Sequence, residues 1–143
     1  MRISEAGLDF IASNEGFSPV LYPDNGHEAI AYGHDVQTGE TFNQPMTEVE
    51  GRALLRKDFE TKFEPSLNRL VPSYCTQNQF DALADFAYNE GAPALGVLLS
   101  HGWGQVPEQL PRWCWEHVNG VLVKSDGLLA RRMKEAVMFK ECA

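Results

Sequence analysis

Among the twenty Asp and Glu residues of this 143-residue chain, two stand in settings different enough to do complementary chemistry. Glu15 closes a stripe of Leu8, Ile11 and Ala12 at helical spacing, the usual mark of a face turned to the core. Partial burial there would favour the protonated carboxyl and keep a proton available near neutral pH. Asp24 belongs to Pro23-Asp24-Asn25-Gly26, a strong turn sequence, where water and backbone amides favour the ionised form. One carboxyl that holds a proton and one that stays charged are the equipment of glycosidic-bond hydrolysis. Blander readings stand beside this one: Glu15 before Gly16 suits a solvated helix end, and Asp24 suits an ordinary turn.

The elements that must position these groups follow from the apolar pattern. A first helix runs from near Ser4 to near Gly16, a residue that ends a helix at little steric cost. Val20-Leu21-Tyr22 and Ala29-Ile30-Ala31-Tyr32 read as strands around the turn, with Thr41-Phe42 as a weak third. Three strands are the economical reading, because an isolated hairpin is only marginally stable. Thr47 with Glu50 and Thr76 with Gln79 fit capping boxes that open helices. Leu55, Phe59, Phe63, Leu67 and Leu70 share a face, and Pro65 is expected to kink or restart that helix. Further helices are expected over 93–99, from Pro107 to Val118, and from near Ser125 to the end. The expected architecture is α+β in one domain, 1–143. It places a small sheet lobe at about 17–46 against a helical body at about 66–143 plus the N-terminal helix, with a cleft between them.

Composition narrows the function. The chain is 43% hydrophobic and 22% charged, ordinary for a folded globule. A formal net charge of −8 argues against nucleic acid as the main ligand, since phosphate binding needs clustered Lys and Arg. Positive charge does gather near the C-terminus in Lys124, Arg131, Arg132, Lys134 and Lys140, a potential local basic patch. Cys75, Cys114 and Cys142 are odd in number and widely spaced, so they read as free thiols rather than a disulfide framework. No signal-peptide run opens the chain, and no stretch approaches the ~20 apolar residues of a membrane span. The expected place of synthesis is the cytoplasm. His27, Glu28 and His34 lack a compact metal motif such as His-Glu-x-x-His, and neither metal nor organic cofactor is expected. His101 and His117 have no recognisable partner.

A family resemblance adds to this reading. Glu15-Gly16-Phe17, Tyr22-Pro23-Asp24-Asn25-Gly26 and Ala29-Ile30-Ala31-Tyr32-Gly33-His34 together resemble the active-site signature of phage-type lysozymes, glycoside hydrolase family 24. Downstream, Gln79-Phe80-Asp81-Ala82-Leu83, Phe86-Ala87-Tyr88-Asn89-Glu90-Gly91 and Gly127-Leu128-Leu129-Ala130-Arg131-Arg132-Met133-Lys134-Glu135 are similar to later family elements, in the family's order. The resemblance implies a lysozyme-like fold and hydrolysis of the β-1,4 bond between N-acetylmuramic acid and N-acetylglucosamine in peptidoglycan. Glu15 falls on the family's general acid. Asp24 falls on the carboxylate that positions or activates water, which implies inversion at the anomeric carbon. His34 falls on a structural histidine paired with an acidic residue of the next helix, for which Asp58 is the candidate. One of Arg131 and Arg132 is expected beside Glu15, and Asn89 in the cleft.

The chain also departs from the family pattern. Ala29 stands where the family usually has a water-holding Thr, Ala31 replaces a usual Gly, and the loop after Asp24 is one residue short. His27 and Glu28 lie beside that gap, and Glu28 is an alternative base should it face the cleft. Two other functions therefore stay open: a weakened or inactive peptidoglycan-binding module, and a lytic transglycosylase acting mainly through Glu15. The implied partners are glycan strands, with a holin, secretion machinery or an immunity protein as further candidates. A monomer acting in the periplasm or at the cell wall is expected.

Overall fold

Ser4 begins the first helix. Its hydroxyl accepts from the Gly7 amide, and α1 runs Glu5–Glu15. Gly16 ends it at φ 74°, its own amide donating to the Ala12 carbonyl. The computed structural model describes residues 1–141, so Cys142 lies outside the described residues. Leu8 and Ile11 are fully buried, each worth on the order of 1.5–3 kcal/mol relative to an exposed position. The Ser4 amide and hydroxyl also donate to Asp81, at 3.1 and 2.5 Å. That contact needs Gly7, because a Cβ there would lie 2.6 Å from the Asp81 carboxyl carbon. The helix that ends in Glu15 is thus fixed at its start by a cap and along its length by burial.

Next come strands Ser18–Asp24 (β1) and His27–Ala31 (β2), paired antiparallel with Asp24 opposite His27 and Tyr22 opposite Ala29. Asn25 and Gly26, at φ 47° and 84°, make the two-residue turn whose twist matches that of the strands. The third strand is His34–Asp35 (β3), not Thr41-Phe42 as expected. Ala31 at φ 59° and Gly33 at φ 84° turn the chain back at once, so His34 reaches the edge beside Ile30 before Thr41 can. Phe42 instead packs edge-on to His34, ring centroids 5.5 Å apart. It joins a small core of Ile30, Ala31 and Met46 with Phe17, Leu21, Val36 and Leu54.

Thr47 and Glu50 form the expected capping box at the start of α2, Glu48–Asp58. Gly51 on that helix leaves room for the Phe17 ring, which a Cβ would approach to 2.6 Å. The chain then widens into a π-type stretch, Phe59–Phe63, before α3, Glu64–Leu70, with Pro65 in its first turn. Proline has no amide to donate and crowds the preceding turn, and the wider winding ahead of it accommodates this without breaking the rod. Of the anticipated apolar face, Leu55, Phe59 and Leu67 are buried, while Leu70 at the rod's end is exposed.

The second capping box, Thr76 with Gln79, opens α4, Gln77–Glu90. Residues Phe80 to Ala87 of this helix are all buried, as befits a helix enclosed on every side, and α1, α5 (Ala92–Ser100) and α7 (Asp126–Lys140) pack around it. The expected helix from Pro107 to Val118 is corrected. Only Val106–Gln109 (α6) and a 3₁₀ turn at Leu110–Arg112 are helical there. Trp115–Val118 (β4) and Val121–Lys124 (β5) form a second antiparallel sheet, closed by Asn119 and Gly120 at φ 52° and 78°. The architecture is α+β, with a three-stranded and a two-stranded antiparallel sheet beside a larger helical region. Cys75 and Cys114 are free and buried, and burial pushes the Cys75 thiol up to about 11. The expected basic patch does not form as such, because Arg131 and Arg132 of α7 are buried inside ion pairs.

Candidate active site

The end of α1, the tip of the first hairpin and the end of α4 converge on a cleft of about 520 Å³. Glu15, Tyr22, Asp24, Gly33, Tyr88 and Asn89 are among the residues lining it, together with Asp35, Asp58 and Lys62. Glu15 from the end of α1 and Asp24 from the end of β1 thereby reach one space, with Asp35 and Asp58 also on its wall. A pair of carboxyl groups beside the bond is what glycosidic chemistry requires.

Glu15 is largely enclosed, its side chain 21% exposed. Arg131 meets its Oε1 at 2.7 Å and also grips Asp85 with two donors, Nε and Nη2, at 2.8 Å each. Such a planar, two-pronged contact fixes orientation as well as charge. Burial opposes the Arg131 charge, but hydrogen bonds and the charges of Asp85 and Glu15 outweigh it and hold the guanidinium above its ordinary value. With Oε1 engaged, Oε2 faces the cleft beside Gly33, where a Cβ would sit 3.7 Å from it and 3.7 Å from the Tyr88 hydroxyl. A Cβ at Gly33 would be in ordinary contact with both groups, and it is the φ of 84° that favours glycine there. The Tyr88 hydroxyl donates to the Tyr32 carbonyl at 2.7 Å, and burial, then the charge of Glu15, raises its pKa so that it stays a neutral phenol.

Asp24 presents a different environment. It is exposed at the end of β1, opposite His27. Tyr22, two residues earlier on the same strand face, lines the cleft with it. Its phenol is raised in pKa by burial and then by the charges of Asp24 and Glu15. Ala29 pairs with Tyr22 on that face and is 2% exposed, so it offers only a buried methyl. Glu28 pairs with Pro23 on the opposite face, and both line a separate groove with His27, Gln37 and Glu40. The fold therefore brings Glu15 and Asp24 together but does not bring Glu28 to them.

His34, in β3, is buried. Its Nδ1 meets Asp58 Oδ2 at 2.5 Å and its Nε2 meets Glu40 Oε1 at 3.0 Å. Both ring nitrogens are thus taken by carboxylates, and Lys62 stands 3.5 Å from Asp58 on the cleft side. The cluster ties β3 to α2. Among the described residues no group of three or more His, Cys, Asp or Glu side chains is placed to hold a metal ion. Arg132, by contrast with Arg131, does not touch Glu15. It donates to Glu135, to Asn89 Oδ1, to Glu90 at 3.2 Å and to the Trp113 carbonyl at 3.1 Å, and so fixes Asn89 at the cleft edge.

Tyr22, Asp35, Lys62 and Tyr88 escape selection as individual site residues by sequence reasoning. Tyr22 and Tyr88 sit inside the motifs quoted above and were legible as neighbours of Asp24 and Asn89. Lys62 carries no local signal except its place four residues after Asp58.

The chain matches the phage lysozyme family over residues 12–135. It is 34% identical to the endolysin of Bacillus phage PZA across 97% of this chain and 55% of that protein. It is also 30% identical to the endolysin of Acyrthosiphon pisum secondary endosymbiont phage 1, across 98% and 99% of the two chains. The chain thus spans little more than half the length of the Bacillus phage relative. Among solved structures, the endolysin from Escherichia coli O157:H7 phage FAHEc1 superposes with a TM-score of 0.85 at 31% identity, over 99% of this chain and 94% of that one. The muramidase domain of SpmX from Asticaccaulis excentricus superposes with a TM-score of 0.83 at 30% identity, over 99% of both.

Proposed function

We propose that this chain, which belongs to the phage lysozyme family, hydrolyses the β-1,4 bond between N-acetylmuramic acid and N-acetylglucosamine in bacterial peptidoglycan. The observation that carries the reading is the convergence of Glu15 and Asp24 on one cleft, the first enclosed and gripped, the second open to water. Glu15 delivers a proton through Oε2 to the bridging oxygen as the bond to the sugar breaks. Asp24 supports the cationic transition state and accepts a proton from the attacking water, which enters on the other face and inverts the anomeric carbon. Arg131 orients Glu15, and Tyr22, Tyr88 and Asn89 shape the sugar-binding surface. His34 and Asp58 are structural in this reading. The endolysins and the muramidase domain named above support the same substrate class. Peptidoglycan lies beyond the cytoplasmic membrane, so delivery by a holin or a secretion machine, action in the periplasm or at the wall, and any immunity partner belong to the same proposal.

The test is digestion of purified peptidoglycan with mass analysis of the fragments. New reducing ends of hydrolysed mass are the expected product. Anhydro ends would point instead to transglycosylation, and binding without release to the inactive module that the Ala29 methyl keeps in view.

A further inference from the structure

Glu135 on α7 is completely buried and takes no part in the reaction just described. Its Oε1 accepts from Arg132. Its Oε2 is buried with no hydrogen-bond partner, and the Asp85 side chain lies within hydrogen-bonding reach of the Glu135 carboxyl group. Asp85 is also completely buried, and both its oxygens already accept from Arg131, with Asn14 a further donor at 3.3 Å. Two ionised carboxylates in such contact repel each other, whereas one proton between them turns repulsion into a hydrogen bond.

The surrounding charges lead to the same place. On α4 they are Asp85 and the partly exposed Glu90, on α7 Arg131 and Arg132, and on α1 Glu15. Glu108 and Arg112, on the segment packed against α7, are exposed to solvent. Arg131 pairs with Asp85 and Glu15, and Arg132 with Glu135 and Glu90. Two guanidinium groups are thus shared among four carboxyl groups, and Glu135 Oε2 is left without a donor. A buried carboxylate oxygen left unpaired is strongly unfavourable.

We propose that Glu135 is a positioning residue that carries a proton on Oε2 and donates it to Asp85, leaving Arg131 to bridge Asp85 and Glu15. Its effect on activity rests on the muramidase reading; the proton itself does not. Arg131 Nε is 4.0 Å from Glu135 Oε1, so an ionised Glu135 competes with Glu15 for the guanidinium. Burial and then the hydrogen bond with Asp85 push the Glu135 carboxyl up to about 9, which keeps the proton at neutral pH and releases it under alkaline conditions.

Carbon NMR of the carboxyl groups in the full chain, assigned through the backbone, reads the proton directly. The Glu135 carboxyl is expected to remain protonated at neutral pH and to titrate on the alkaline side. Peptidoglycan hydrolysis against pH reads the role. Glu135→Ala, which removes the proposed Glu135 donor from Asp85, should lose roughly tenfold in activity. Glu135→Gln can donate to Asp85 and accept from Arg132, so it should restore most of that loss and hold its activity further into the alkaline range than the parent. A Glu135 signal titrating in the ordinary carboxylate range overturns the proposal, as does a Gln variant whose pH profile superimposes on the parent's. If the parent releases nothing from peptidoglycan at any pH, the muramidase reading fails while the titration still decides the proton.

Discussion

Glu15 ends a helix that is capped by Ser4, docked through Asp81 and held at its far end by Arg131, whereas Asp24 is the exposed last residue of β1, next to the two-residue hairpin turn. The first carboxyl is positioned by contacts spread over α1, α4 and α7. The second is positioned by backbone pairing and by the left-handed angles of Asn25 and Gly26. The role proposed for Glu15, handing a proton to one particular oxygen, calls for the more rigid mounting. In the proposed reaction Asp24 handles water, a task compatible with an open edge, and its mounting is the easier of the two to re-aim.

The comparison breaks first at Glu15. Glu15→Gln should lower release of reducing ends by roughly 10²–10⁴-fold with little change in the unfolding midpoint, and activity near the parent's would remove Glu15 from the acid role. Arg131→Met should come next, because it leaves buried Asp85 without its partner. A loss of about 3–5 kcal/mol in denaturant unfolding is expected, along with weaker activity at temperatures where the variant is still folded. Parent-level activity in the folded variant would show that Glu15 does not depend on this anchor. Asp24→Asn should cost about 10²-fold in activity and leave stability within about 0.5 kcal/mol, the signature of a mounting made by the backbone. Smallest of all, Glu28→Gln should change activity by no more than about twofold, as for a surface site away from the cleft. A loss as deep as that of Asp24→Asn would put Glu28 in the water-handling role despite its place on the other strand face.

Local chemistry carried much of the fold. Both capping boxes, the start of the last helix at Ser125 and the hairpin at Asn25-Gly26 rest on interactions within a few residues of sequence, and these were readable without any tertiary context. The second hairpin was readable too. Asn119-Gly120 between His117-Val118 and Val121-Leu122-Val123 is the same turn signal, but the stretch from Pro107 to Val118 reads as a helix, whereas only Val106–Gln109 and the turn at Leu110–Arg112 are helical. The third strand was not legible, since Thr41-Phe42 has the composition of a strand. What moves the pairing to His34 is the reversal at Ala31 and Gly33, and a positive φ at an alanine leaves no trace in composition. For the site, the expected partnerships of His34 with Asp58 and of an arginine with Glu15 correspond to contacts of 2.5 and 2.7 Å. The choice between Arg131 and Arg132 required the packing.

By itself the sequence determined which chemistry was on offer and which lengths of chain would be helix or turn, because caps, periodicity and turn angles are local. It also determined the resemblance that gave Glu15 and Asp24 their expected roles. Only the tertiary structure decided that Arg131 rather than Arg132 grips Glu15, that Glu28 faces away from the cleft, and that Glu135 is buried with one carboxyl oxygen unpaired. These outcomes depend on which side chains are excluded from water together. Burial is a property of the assembled helices and sheets, not of any segment alone.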